Sequence, residues 1–302
     1  KVDKSGMFKW NISNLYGVVP NYKSSVACDL DGNIVITGLH DSSIDIYQIV
    51  DGEVGLYKTL NKLRGYYGLY MVKYNSDGKV IWANGLYLDT SSSSDQIQYP
   101  VTTIDGNGNL FLSAQLYGEY VYIYDTRNPI YDEGHENDYR LVVPLDLDSP
   151  GTTNNNIILL KYNKNGIFQW YTFVNAGATQ LPLVPSISVD NRFIKGINSA
   201  NVYLSGTYNN TTIKFYEGST TDSPGYSGAS LAPIGSNDVF IVRYNSEGIF
   251  DWVSRTGGTN DETNSSIVAT VDGNVYFAGE FRSATIDVYQ GWSMDNDPNS
   301  TV

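Results

Sequence analysis

The chain has 302 residues, 41% hydrophobic and only 17% charged, with a formal net charge of −13. Its one cysteine excludes a disulfide framework and a cysteine-based zinc site, and no apolar run approaches the roughly 20 residues of a helical membrane span. The acidic balance argues against nucleic acid as a partner, because neutralising phosphates takes a basic face.

Lys1 to Trp10 reads basic, apolar, Asp, two polar residues, Gly, three residues, Trp, which predicts a hairpin about a Gly-containing turn. Val26–Gly38 (VACDLDGNIVITG) follows, two strand-length apolar runs around an Asp-Gly-Asn turn. Ile44-Asp45-Ile46-Tyr47 then alternates as a strand does. Lys73–Trp82 repeats the first string, Val101–Ala114 the second and Val121–Tyr124 the alternating strand. After an insertion at Arg127–Asn154 the series resumes with Lys161–Trp170, Ile187–Gly206 (itself interrupted) and Ile213–Tyr216. It runs once more as Arg243–Trp252, Ile267–Gly279 and Ile286–Tyr289. No stretch sustains helical spacing, and the length variation falls mainly after the alternating strands.

Four returns of the same two hairpins predict an all-β chain, a β-propeller of four blade-like repeats, where a sandwich would not repeat. The expected organisation is one propeller domain over 1–302, with units at about 18–86, 87–177, 178–258 and 259–302 plus 1–17. The strings Asp272-Gly273-Asn274-Val275-Tyr276 to Gly279 and Phe240-Ile241-Val242-Arg243-Tyr244-Asn245 to Trp252 resemble the β-propeller repeats of the SBBP type. That resemblance implies a generic scaffold, usually of about seven blades, and is silent on activity. Ser300-Thr301-Val302 set before Lys1-Val2-Asp3 parallels Phe240 to Asn245, so both ends share one phase of the repeat. The N-terminal hairpin is therefore expected to complete the last blade and close a ring, which would remove exposed sheet edges; the alternative is part of a larger propeller.

Trp10, Trp82, Trp170 and Trp252 each follow the hairpin Gly by four residues, a spacing similar to the docking tryptophans of quinoprotein propellers, and are expected to pack between blades. Trp292 stands outside the repeat. Asp29-Leu30-Asp31-Gly32-Asn33 and Asp105-Gly106-Asn107-Gly108-Asn109 space oxygen ligands as calcium loops do but lack the closing Glu, so turn chemistry accounts for them. Cys28 reads as a small buried hydrophobe and His40 as incidental. The candidate binding residues are Tyr131, Asp132, Glu133, His135, Glu136 and Asp138, in the acidic insertion around one of two histidines. Asn11, Asn210, Asn264 and Asn299 open glycosylation-type triplets that so Asn- and Ser-rich a chain also produces by chance.

No cofactor and no metal is expected. The first functional expectation is a non-catalytic scaffold for assembly or adhesion at a cell or particle surface, with other proteins or copies of itself as partners. The Asn, Ile and Tyr richness would suit an AT-rich genome such as that of a large DNA virus, and with it a virion. The second is a glycan-binding, lectin-like propeller using Tyr66, Tyr67, Tyr70, Tyr117, Tyr120, Tyr131 and Tyr139 at its rims. The third, a glycoside-active enzyme, needs a converging carboxylate pair that this order of residues does not reveal.

Overall fold

The computed structural model describes residues 1–11, 24–61, 66–89, 96–127, 141–145, 154–176, 184–194, 197–209, 211–289 and 292–293. The first unit comprises β1 (Ser25–Cys28), β2 (Ile34–His40), β3 (Ile44–Val50), β4 (Glu53–Leu60), β5 (Tyr66–Tyr74) and β6 (Val80–Asp89). The second comprises β7 (Gln96–Ile104), β8 (Leu110–Gly118), β9 (Tyr120–Ile123), β10 (Leu141–Pro144), β11 (Asn154–Tyr162) and β12 (Phe168–Asn175). The third runs from β13 (Ser186–Val189) through the small pair β14 (Arg192–Ile194) and β15 (Ile197–Ser199) to β16 (Val202–Asn209). It continues as β17 (Ile213–Tyr216), β18 (Tyr226–Leu231), β19 (Asn237–Tyr244) and β20 (Phe250–Gly257). The last holds β21 (Glu262–Ala269), β22 (Val275–Phe281), β23 (Asp287–Val288) and β24 (Trp292–Ser293).

Three antiparallel sheets are built on the meanders β1-β2-β5-β6, β7-β8-β11-β12 and β13-β16-β19-β20. Each is widened by strands lent from the following unit. β9 and β10 extend the outer strand β6, β17 and β18 extend β12, and β23 and β24 both pair with β20. These lent strands include the alternating segments Val121–Tyr124, Ile213–Tyr216 and Ile286–Tyr289. In the first two the alternation buries one face, Val121, Ile123, Ile213 and Phe215 being fully enclosed, whereas Ile286 and Val288 are exposed. In the first unit the equivalent strand, β3, pairs with β4 and buries Ile44 and Ile46 against the first sheet.

The inner strands lie side by side in the order β1, β7, β13, β21. Hydroxyl side chains stitch them together. Thr102 N–H donates to Ser25 Oγ at 3.1 Å, Ile267 N–H to Ser186 Oγ at 3.1 Å and Ala269 N–H to Ser188 Oγ at 2.9 Å. One apolar core fills the space between the first two sheets around Leu86, Leu112, Ile158 and Phe173, and a second lies between the next two around Phe111, Leu204, Phe215 and Phe240. Burial of this extent supplies the main driving force, at roughly 25 cal/mol per Å² of apolar surface removed from water.

Ser300-Thr301-Val302, where the closing strand is expected to begin, lies outside the described residues. β21 and β22 pair, among the described residues, only with each other, and β1 does not pack against β21 as the successive inner strands pack against their neighbours. The Lys1–Trp10 hairpin, bridged at Val2 and Phe8, lies on the turn of the first sheet. Cys28 is corrected: it is exposed. β1 alternates, and the face carrying Val26 and Cys28 has no neighbouring sheet among the described residues, whereas β7 and β13 each have one.

Candidate docking interface between repeats

The repeated string builds a plug and a socket. The socket is its turn. Asn75 Oδ1 accepts the N–H groups of Asp77 and Lys79 at 2.9 Å each, and Gly78 turns the chain at φ +87°. Asn163 and Asn245 make the same pair of bonds before Gly166 and Gly248. Asp3 does so before Gly6, accepting from Ser5 and Met7. In every case the side chain replaces a backbone acceptor, and Gly supplies the left-handed conformation at no steric cost.

The plug is the Trp of the preceding hairpin. A bulge after the basic residue sets Lys73 opposite Trp82, Lys161 opposite Trp170 and Arg243 opposite Trp252. The Trp10 indole N–H donates to Ser76 O at 3.1 Å, that of Trp82 to Lys164 O at 3.1 Å and that of Trp170 to Ser246 O at 3.0 Å. Each acceptor is the residue after the turn Asn. The indoles lie over the bare glycines: a Cβ at Gly78, Gly166 or Gly248 would meet Trp10, Trp82 or Trp170 at 3.3, 2.8 and 2.8 Å. Trp82 and Trp170 are buried, as the Gly-x-x-x-Trp spacing predicts.

The basic residue of the string is a second donor that the sequence reading did not assign. Lys1 Nζ reaches Ser76 O at 2.7 Å, and Lys161 Nζ reaches Ser246 O at 2.5 Å, the same carbonyls that take the indole N–H. Lys73 departs from this pattern. Its ammonium forms a buried ion pair with Asp29 at 3.0 Å and bonds Gly108 O at 3.3 Å, tying the first sheet to the inner turn of the second. Burial lowers the Lys161 pKa. Burial also pushes the Asp29 carboxyl up, but bonds from Asn33 and Lys73 outweigh it and leave the pKa below its usual value. A basic residue at the head of every copy was the available signal.

The Asp29 and Asp105 loops are turns. Asp29 Oδ1 accepts from Asp31 and Asn33, Asp105 Oδ1 from Asn107 and Asn109, and the other oxygen of each takes the Asn amide. His40 is buried, Nδ1 at 2.8 Å from Ser42 O and its ring edge-on to Tyr87. Tyr70 is corrected from a rim residue to core filling, because its ring occupies the space beside Gly38. Tyr120 is exposed and Tyr117 half-buried. Tyr66 and Tyr67 lie in β5, and Trp292 begins β24. Tyr131, Asp132, Glu133, His135, Glu136, Asp138 and Tyr139 lie outside the described residues.

A cleft opens beside β22, where Glu262 and Glu280 are the carboxylates. Glu262 is buried and already accepts from Gly258 N–H at 2.8 Å and Ser283 N–H at 3.2 Å, so it clamps a loop.

No family model matches the chain. It is similar to an uncharacterized WD repeat-containing protein of Acanthamoeba polyphaga mimivirus, 24% identical over 325 residues that cover 96% of this chain and 21% of that protein. The chain thus spans about a fifth of the length of this relative. With the serial antiparallel sheets, the likeness defines a β-propeller-like repeat fold.

Proposed function

We propose that the chain is a non-catalytic β-propeller scaffold of the SBBP type, used in structural assembly or adhesion at a cell or particle surface. Its repeat units, 18–86, 87–177, 178–258 and 259–302 with 1–17, are blades of one propeller domain. The observation that carries this reading is the fate of the polar groups. Indole N–H and turn carbonyl are spent on joining neighbouring elements at three successive turns, with the ammonium of Lys1 or Lys161 added at two of them. The buried carboxylates of Asp29, Asp105, Asp190 and Glu262 are engaged in turn and loop bonds, which argues for architecture over chemistry. The viral relative makes a virion the favoured particle. Partners are other proteins or copies of the chain, and Tyr131, Asp132, Glu133, His135, Glu136 and Asp138 are proposed as contacts for a protein partner.

The test is a double screen of the purified chain. We expect no turnover of glycosidic, ester or phosphoester substrates and no binding on a glycan array. Turnover abolished by Glu262→Gln or Glu280→Gln would overturn the scaffold reading in favour of an enzyme. Saturable binding to one sugar class would replace it with the lectin.

A further inference from the structure

Each turn that receives an indole is also gripped by a clip from its own unit. The residue after the alternating segment is Gln48, Asp125 or Glu217. Its side-chain oxygen accepts the N–H of Val80, Phe168 or Phe250 at 3.3, 3.2 and 2.6 Å. The residue after that donates its own N–H to the turn glycine: Ile49 to Gly78 O at 3.0 Å, Thr126 to Gly166 O at 3.3 Å and Gly218 to Gly248 O at 2.8 Å. In the second and third units the clip therefore ties a strand lent to one sheet to the turn of the next. In the first it ties the β3–β4 hairpin to the turn of the first sheet.

The three clips differ in charge. Gln48 is a neutral amide, and Asp125 is ion-paired with Arg127, whose Nε donates to it at 2.8 Å. Among the described residues Glu217 has no such cation. A second carboxyl holds the other end of the same lent hairpin. Asp238, wholly buried in β19, accepts the N–H of Ile234 at 2.6 Å from the loop that follows β18. Its counterpart in the second sheet, also five residues before the basic residue, is the neutral Asn156, which donates to Leu145 O at 2.9 Å after β10. Asp238 Oδ1 lies against Gly257, buried and without a donor among the described residues, a place where a full charge is costly. Arg255 of β20 attracts the Asp238 charge and Glu262 of β21 repels it. Arg255 is itself committed, with Nη1 at 2.6 Å from Ala232 O and the guanidinium 4.2 Å over the Tyr289 ring. Tyr208 of β16 faces Asp238 and Tyr244 of β19 faces Glu217; burial raises both phenols, so neither carries charge.

We propose that the joint between the second and third sheets is a proton-operated clasp, tight when Glu217 and Asp238 are protonated and opening locally when both are ionised. The joint between the first and second sheets, held by Asp125 with Arg127 and by Asn156, does not respond, and neither does the Gln48 clip. The two carboxyls sit at opposite ends of β17–β18, so they act on one element. A protonated carboxyl still accepts an N–H through its carbonyl oxygen, and it loses the cost of a desolvated charge. Burial, the largest influence on each, raises both groups against the partial opposition of their N–H bonds and, at Asp238, of Arg255. The stabilisation is therefore complete below their ordinary values of 4.5 and 3.8 and is lost as pH rises through the raised ones. What opens is the local contact of β17–β18 with the third sheet, a sub-global unit, while the apolar core between the sheets stays closed.

Hydrogen-exchange mass spectrometry of the full 302-residue chain between about pH 5 and pH 8 tests this, with rates corrected for the intrinsic pH dependence of exchange. Protection of the β17–β18 peptides should fall by at least about threefold over that range. The β3–β4 and β9–β10 peptides of the same sample serve as internal controls and should hold constant. Glu217→Gln and Asp238→Asn keep an oxygen acceptor and remove the charge. Each should reduce the fall in β17–β18, and the double variant should abolish it, with protection at pH 8 raised to the acid level. Each single variant carries the test by itself should the double one lose its fold, which circular dichroism monitors. No fall in the wild-type chain, an equal fall in the control hairpins, or an unaltered fall in the folded variants would each overturn the inference. The substrate and glycan screens judge the scaffold reading independently.

Discussion

At the level of single residues, each indole combines packing with one directed bond, and the two can be separated. Trp170→Ala should cost about 3–5 kcal/mol in denaturant unfolding, since it empties a buried site between sheets. Trp170→Phe keeps most of the apolar contact, and the lost bond to Ser246 O should add about 1 kcal/mol. Lys73→Met should destabilise by about 3–5 kcal/mol, because it strands the Asp29 carboxylate without its ion pair. Titration acts in two directions. Burial raises the pKa of Glu217 and Asp238 only against partial opposition from Phe250 N–H and Ile234 N–H. Both bind protons more tightly folded than unfolded, so the stability they contribute is full at acid pH and is lost as pH rises through their raised values. Bonds from the Ser5 hydroxyl, Met7 N–H and Lys9 lower Asp3 from 3.8 to about 2, so its contribution is lost below that ordinary value. The melting temperature should therefore rise on mild acidification from neutral pH and fall again in strong acid, and Asp238→Asn should flatten the upper limb of the profile.

At the level of strands, the lent segments decide which sheet a substitution harms. β17 is encoded in the third unit but pairs Phe215 with Val174 and Lys214 with Asn175 on the outer strand of the second sheet. Phe215→Asp should therefore speed amide exchange in β12 more than in β13, which hydrogen-exchange mass spectrometry resolves by peptide. The existence of β9, β17 and β23 was legible from their alternation, and both hairpin types from their Gly turns. Their pairing was not, because alternation reports that one face is buried and not against what. Trp82 and Trp170 were readable because a fixed spacing from a left-handed Gly constrains where the indole lands. Cys28 and Tyr70 were misread for the opposite reason. The burial of each depends on a neighbour set by sheet order, which the local string does not encode. The convergence of Lys1 and Lys161 on their acceptor carbonyls is likewise a product of register, visible only once Lys161 stands opposite Trp170.

Across the whole molecule, stability is a sum over sheets and the joints between neighbours, as in other repeat proteins. The second sheet, with joints on both sides, should exchange slowest, and the β21–β22 hairpin fastest, its second strand being largely exposed. A native-state exchange experiment showing the reverse order would contradict the serial arrangement. The borrowing of edge strands by each of the three large sheets from the next unit has a further meaning for how such a protein changes length. The stretch of gene that repeats is out of step with the stretch of chain that makes a sheet. A tandem duplication or deletion of one repeat would carry away one strand and deliver its equivalent, so each sheet would still find a fitting edge on either side of the breakpoint. Ancestors of this chain could thus have gained or shed whole repeats without passing through a form whose seams failed to match.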